Sequence, residues 1–232
     1  MTSADIMAAL REVTTATITT VLLKKGIRNA YMRGPMPLDR AFPRIVGPAF
    51  TMRFIPARED LAVPEAWASP RSTRAAIEAM PEGAVAVADA RGLTEAAIFG
   101  DILVARMMKR KVAALVTDGT MRDAAGVLAT GLPVWCTGAA APSSVAGHIF
   151  VGWEEPIGCG GVAVFPGDLV VADGDGAVVI PPALAEEVAR LGLEQERFEN
   201  WALAEVHKGA ALPGLYPPNE DTKKRYEAEK KR

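Results

Sequence analysis

The sequence predicts an α/β fold. Three observations carry that prediction: a middle zone where short apolar strands alternate with helices, a later zone of short strands joined by Gly/Asp turns, and a long amphipathic Ala/Leu/Glu-rich stretch after both. The 232 residues hold 26 basic and 28 acidic side chains for a net charge of −2, with half the residues apolar and 6% aromatic. That is a globular composition. A chain of this length buries roughly 70% of the surface that its unfolded form exposes, without staples. Residues 1–232 are read as a single domain: an N-terminal helix over 1–26, an α/β core over 27–182, and a C-terminal helix and tail over 183–232.

The elements follow in order. Ser3 to Lys25 reads as one helix, N-capped by Ser3 and ended by Gly26, with Ile6, Leu10, Val13, Ile18, Val21 and Leu22 at helical spacing. Five threonines between Thr14 and Thr20 lower its propensity. Arg44 to Ile55 reads as a strand, Ser72 to Met80 as a short helix, and Ala84 to Ala88 as a buried strand after the Pro81-Glu82-Gly83 turn. Asp101 to Lys111 is helical, Val112 to Thr117 a buried strand and Asp118-Gly119 a turn. A short helix beyond Arg122 leads to a third strand, Pro133 to Thr137. Val162 to Phe165, Leu169 to Ala172 and Ala177 to Ile180, separated by Pro166-Gly167-Asp168 and Asp173-Gly174-Asp175-Gly176, read as hairpins. Pro181-Pro182 stops the sheet, and Ala183 to Val206 is an amphipathic helix. From Leu212 the tail begins Pro-rich, a segment expected to dock on a neighbouring surface, and ends in solvated charge.

Composition narrows the chemistry. The basic clusters, Arg106 with Lys109 to Lys111 and Lys223 to Arg225, are short and set in a near-neutral chain, which argues against nucleic acid as a ligand. No uncharged run reaches the 18 apolar residues of a membrane span, and no secretory signal is visible, so a cytoplasmic protein with no membrane partner is expected. Cys136 and Cys159 read as small buried thiols. With only His148 and His207, a His-rich zinc site or a Ser/His/Asp triad has little to draw on. Chemistry is left to carboxylates, arginine, backbone amides and a hard metal. Trp135, Trp153 and Trp201 lie in mixed settings and read as packing residues. Gly158-Cys159-Gly160-Gly161 lacks the strand-then-helix context of a nucleotide loop, which disfavours a nucleoside-cofactor methyltransferase.

Two places stand out. Gly100 enters a helix, so the amides of Asp101, Ile102 and Leu103 form a first turn suited to a carboxylate or phosphate. An ordinary helix start, with Asp101 complementing the dipole, explains the same residues. Arg122-Asp123 follows a buried strand and its turn, beyond a strand's carboxyl end, where open α/β sheets hold ligands. Arg122 supplies a fork for carboxylate or enolate oxygens, and Asp123 is a hard ligand suited to Mg²⁺ or Mn²⁺. A surface ion pair at a helix start is the alternative. Twenty residues separate Asp101 from Arg122, one helix–strand unit, so the two places can share an edge.

With that spacing, Val116-Thr117-Asp118-Gly119, Gly47-Pro48-Ala49-Phe50-Thr51, Pro166-Gly167-Asp168 and Ala172-Asp173-Gly174-Asp175-Gly176 through Ile180-Pro181, the sequence resembles a known family over about Ile27 to Leu203. It is that of the class II pyruvate aldolases acting on 4-hydroxy-4-methyl-2-oxoglutarate and 4-carboxy-4-hydroxy-2-oxoadipate, which share their fold with the regulator of ribonuclease E activity (RraA-like). The resemblance implies an α–β–β–α sandwich of the swivelling β/β/α type, assembled as a homotrimer or homohexamer. It implies that the Gly100–Leu103 loop holds the pyruvoyl carboxylate, that Arg122 contacts substrate oxygens, that Asp123 ligates the divalent metal, and that Asp101 helps to order metal-bound water. The family's acidic residue three positions after the metal ligand is replaced here by Gly126. A C-terminal glutamate from an adjacent subunit also belongs to the family site; Glu194, Glu196 and Glu199 are candidates, and a solvated helix face explains each as well.

These residues suit retro-aldol cleavage of a 4-hydroxy-2-oxo acid through a pyruvate enolate, with Arg122 and the metal taking up negative charge. The same electron sink serves oxaloacetate decarboxylation or dehydration of a 2-oxo sugar acid. Arg71, Arg74 and Arg91 are candidates for a second substrate carboxylate, or exposed structural arginines. The rival class is a non-catalytic regulator that binds a ribonuclease.

Overall fold

The computed structural model describes residues 1–230. The N-terminal segment is two helices, α1 (Ser3–Arg11) and α2 (Thr15–Lys24), bent 116° apart, in place of the single expected helix. The break has a local cause: the Thr14 side chain accepts the Thr17 amide and caps α2, while Thr2, rather than Ser3, caps α1 in a reciprocal box with Asp5. The threonines that weaken a helix interior here start a helix. No single helix among the described residues is long and apolar enough to cross a membrane.

After short strands β1 (Tyr31–Met32) and β2 (Met36–Pro37) comes β3 (Ile45–Pro56), the hinge of the fold. Then follow α3 (Thr73–Ala79), β4 (Val85–Asp89), β5 (Ala97–Phe99), α4 (Asp101–Lys109), β6 (Ala114–Thr117), β7 (Thr120–Met121), α5 (Ala124–Ala129) and β8 (Val134–Cys136). The chain continues through β9 (His148–Trp153), β10 (Ile157–Cys159), β11 (Val162–Val164), β12 (Leu169–Asp173), β13 (Gly176–Ile180), α6 (Ala185–His207) and α7 (Glu220–Lys230).

Nine strands form one sheet in the order β1-β13-β12-β3-β4-β6-β8-β2, with β9 also on β3. The first half of β3, Ile45 to Pro48, pairs antiparallel with β12; from Ala49 it pairs parallel with β4. The sheet doubles over at that point. Gly47 permits the approach, because a Cβ there would lie 2.6 Å from the Gly83 carbonyl oxygen.

Alternation then sorts the side chains. Val85, Val87, Ala114, Val116 and Trp135 meet Val170, Ala172, Ala177 and Val179 between the two halves of the sheet. Ala86, Ala88, Leu115, Val134 and Cys136 face outward under α3, α4 and α5, packing with Ile77, Val104, Met107 and Val127. On the opposite outer face, Val46, Val171, Val178 and Ile180 pack against Leu10, Ile18, Leu22 and Val188 of α1, α2 and α6. The expected α–β–β–α sandwich is thus the observed one, and strands buried on both faces explain the near-continuous apolar runs.

One expectation about the later zone is corrected. The β12–β13 hairpin is present, but β11 pairs with β10 rather than β12, so Gly160-Gly161 is the turn of a separate hairpin. Up to Lys230 the end of the tail carries mostly exposed charge, as expected. It forms α7, whose Tyr226 packs edge-on against Phe198 of α6 at 5.3 Å, while Lys230 pairs with Glu194. The Trp135 indole N–H donates to the Asp173 carbonyl inside the core, and both cysteines are buried free thiols.

Candidate active site

The site is built on two very short parallel strands. β5 and β7 pair with Ala97 opposite Thr120 and Phe99 opposite Met121, and the Arg122 amide donates to the Phe99 carbonyl at 2.9 Å. Gly100 and Arg122, the residues leaving those strands, are therefore side by side. The strands predicted for this part of the chain are β4 and β6; the two that carry the site were not anticipated, because three residues and two residues are too few to show a period.

Gly100 is the N-cap of α4 and has no side chain to donate or accept. Its value lies in the space it leaves: a Cβ there would sit 2.8 Å from Asp123 Oδ2 and 3.1 Å from Arg122 Cγ. Asp123 is the N-cap of α5 with φ 54° and ψ 42°, a left-handed conformation that Asp tolerates better than most residues. This backbone aims its carboxylate toward Gly100, where Arg122 Nε donates to Oδ2 at 3.2 Å. Both side chains remain nearly half exposed.

Asp101 corrects the expected anion seat. Its Oδ1 accepts the Ile102 amide at 2.7 Å, so one of the three first-turn donors is already used, and only the Asp101 and Leu103 amides remain without an acceptor among the described residues. The other oxygen, Oδ2, lies 2.7 Å from where a Gly126 Cβ would stand. Gly126 is thus packed under Asp101, across the α4–α5 contact.

These groups line a cleft of about 300 Å³ that Trp67, Thr73, Arg74 and Ser144 also border. No lysine, histidine or cysteine is among its described lining residues. Sequence reasoning missed Trp67, Thr73 and Ser144, because they lie in or beside irregular segments with no periodicity. The Arg74 guanidinium stands 5.0 Å from the Trp67 ring centre, and both residues line the cleft. Arg71 borders a neighbouring cavity instead, and Arg91 donates to the Gly147 carbonyl, away from the cleft. Glu194 is held by Lys230, Glu196 accepts the Thr14 amide and hydroxyl, and Glu199 accepts from Gln195 and Tyr216. None of the three lines the cleft of its own chain.

Burial also shifts three groups outside the cleft. Asp118, at the carboxyl end of β6, is pushed up by burial, although the Ala90 and Gly160 amides that it accepts oppose the shift. Burial likewise lowers His148, which is thereby kept neutral near pH 7. Burial also lifts the Cys159 thiol well above its ordinary value, which makes it unreactive as a nucleophile.

Comparison with known proteins bears on the family and the fold. A Halalkalibacterium halodurans protein provisionally named 4-hydroxy-4-methyl-2-oxoglutarate aldolase is 38% identical over 148 residues, 62% of this chain. The match spans 63% of that protein's own length, under two thirds of it. The crystal structure of Streptomyces coelicolor RraAS2, described as an unusual member of the RNase ES inhibitor RraA protein family, is 36% identical. It covers 85% of this chain and 95% of its own, with a TM-score of 0.76. An uncharacterized Pseudomonas syringae pv. tomato protein shares the fold at 24% identity, with a TM-score of 0.78 over 92% of this chain and 98% of its own. The family model described as RraA-like, Aldolase/RraA, matches residues 11–179, which is most of the chain, and the chain belongs to that family.

Proposed function

We propose that the protein is a divalent-metal-dependent lyase that cleaves a 4-hydroxy-2-oxo acid by retro-aldol chemistry. The observation that carries this reading is the convergence of Arg122, Asp123, Asp101 and the first turn of α4 around one cleft. The donor set fits Mg²⁺ or Mn²⁺. Among the described residues no group of three His, Cys, Asp or Glu side chains forms a closed cage, and Mg²⁺ characteristically takes one or two carboxylates and completes its shell with water and substrate. Asp123 would hold it, with Asp101 beside it. Bound there, such a metal supplies Lewis acidity toward the 2-oxo and carboxylate oxygens.

The chain's own groups do the rest. The free amides of Asp101 and Leu103 receive the substrate carboxylate at the positive end of α4. Arg122, held on its stem against Gly100, directs its guanidinium at the oxygen on which enolate charge develops. Asp101 is the carboxylate available to hold the C4 hydroxyl proton as the C3–C4 bond breaks. With no lysine among the described lining residues, a Schiff-base route finds no nucleophile there. The same sink supports decarboxylation of oxaloacetate. The likeness to RraAS2 favours a second reading, a regulator that binds a ribonuclease through this scaffold. Assembly as a homotrimer or homohexamer accompanies either reading as part of the proposal.

A steady-state assay with Mg²⁺ and a panel of 4-hydroxy-2-oxo acids and oxaloacetate tests the first. Turnover that disappears with chelator supports it, and metal-independent turnover overturns it. Retention of a ribonuclease on the immobilised chain, with no turnover of any panel member, supports the second.

A further inference from the structure

The cleft does not end at the catalytic residues. Trp67, Thr73 and Ser144 also border a second cavity of about 370 Å³, so the two spaces meet along one wall. The second cavity lies between β9, the end of β3 and the irregular 57–72 segment. Its walls are mainly apolar: Phe54 and Phe150 pack edge to face at 5.2 Å, joined by Leu61, Val145 and Ile149. Arg71 stands exposed at its border, and no carboxylate within 4 Å pairs with it among the described residues. In the same wall, the buried His148 donates from Nε2 to the Ala96 carbonyl at 3.2 Å, while Nδ1 has no partner among the described residues. Each cavity falls near the lower end of the size range of ligand sites, about 300–1,000 Å³, and the pair sits comfortably inside it. A pyruvoyl unit alone leaves most of this volume unused.

We infer that the second cavity receives the C4 substituent of the substrate, and that this substituent is a bulky, mainly apolar or aromatic body rather than a short polar chain. The inference rests on the reading of the cleft as a pyruvoyl site. Anchored by its carboxylate at α4, the substrate crosses the Trp67–Ser144 wall and lays its apolar body between Phe54, Phe150 and Val145. Arg71 then meets any anionic group at the far end. A buried acceptor left without a partner, as at His148 Nδ1, is the kind of group that a ligand or an ordered water completes. The apolar walls decide the class: a second carboxylate placed among them without a partner is disfavoured, whereas a phenyl-sized group gains from leaving water.

Binding of non-cleavable analogues tests this without relying on turnover. Calorimetric titration with Mg²⁺ present compares pyruvate with 4-phenyl-2-oxobutanoate in the wild-type chain and in Val145→Trp and Ala62→Trp, which fill the second cavity from two sides. Burial of the phenyl group predicts binding tighter than pyruvate by about tenfold or more. Both filled variants should lose that advantage while their pyruvate affinity stays within about twofold of wild type. Equal affinity for the two compounds in the wild type overturns the inference, as does an advantage that survives in either folded variant. Should neither variant fold, the wild-type comparison still decides. Deuterium exchange at the pyruvate methyl group, followed by NMR, separates the two levels: phenyl selectivity without exchange sinks the aldolase reading and leaves the second cavity standing, and exchange without selectivity does the reverse.

Discussion

Asp173 and Asp123 both stand beside the first turn of a helix, and their surroundings could hardly differ more. Asp173 is 8% exposed and accepts the Thr15 amide at 2.9 Å, the Thr15 hydroxyl at 2.6 Å, the Asp175 amide at 3.1 Å and Arg44 Nε at 3.2 Å. It locks the start of α2 onto the sheet. Asp123 is nearly half exposed, has one partner in Arg122, and sits on a left-handed backbone that its own element does not require. A carboxylate whose lone pairs are filled by the fold is part of the fold. One whose lone pairs are left open, on a strained residue in a cleft, has capacity reserved for something else.

The comparison breaks first at the cleft. Arg122→Ala and Asp123→Ala are each expected to lower kcat/KM about 10³-fold, the scale of removing a group that meets developing charge, with an unfolding midpoint close to wild type. A parallel loss of stability would place these residues with Asp173. Next in size is Asp173→Asn, expected to destabilise by about 2–3 kcal/mol through a broken buried network, read by denaturant titration. Burial alone would raise Asp173, but the donors from Thr15, Asp175 and Arg44 outweigh it and hold the group below the ordinary carboxylate value of 3.8. A depressed folded value means that the contribution is complete above the unfolded pKa and fades as pH falls through the folded one. The gap between wild type and variant should therefore be flat from neutral pH down to about pH 5 and close only in stronger acid.

Gly126→Ala sharpens the same contrast at a smaller scale. Its Cβ lands 2.7 Å from Asp101 Oδ2, so Asp101 must move and activity is expected to fall about tenfold. The helix itself gains about 1 kcal/mol of propensity, but the same Cβ lies 2.9 Å from Asp101 Cβ, which is fixed to α4, so the two helices must part and the gain is offset. Smallest of all is Arg106→Ala on the exposed face of α4, where a bidentate pair with Glu78 lies outside the lining of the cleft. Neither the thermal midpoint nor turnover should change measurably.

Legibility in the sequence followed from what each residue depends on. β3, β4 and β6 and helices α4 and α6 were readable because apolar periodicity is local. The single N-terminal helix was misread because a threonine that caps and a threonine that weakens look alike until Asp173 and Glu196 arrive from elsewhere in the chain. Gly100, Asp101, Arg122 and Asp123 were readable as candidates from their spacing. Their juxtaposition depended on β5 and β7, which are too short to announce themselves. Trp67 and Ser144 had no local signal at all, since only the folded loops bring them to the cleft. The same holds for α7, whose charged surface hides the one aromatic side, Tyr226, that docks on α6.

We propose that Asp123 and Arg122 together form a metal-assisted seat for the enolate of a 2-oxo acid. Calorimetric titration of oxalate, a planar mimic of that enolate, into the chain with and without Mg²⁺ tests it most directly. One oxalate per chain, bound only with Mg²⁺ and lost in Asp123→Ala, is the expected result. Oxalate that binds equally well without metal, or as tightly to Asp123→Ala as to the wild type, would contradict it.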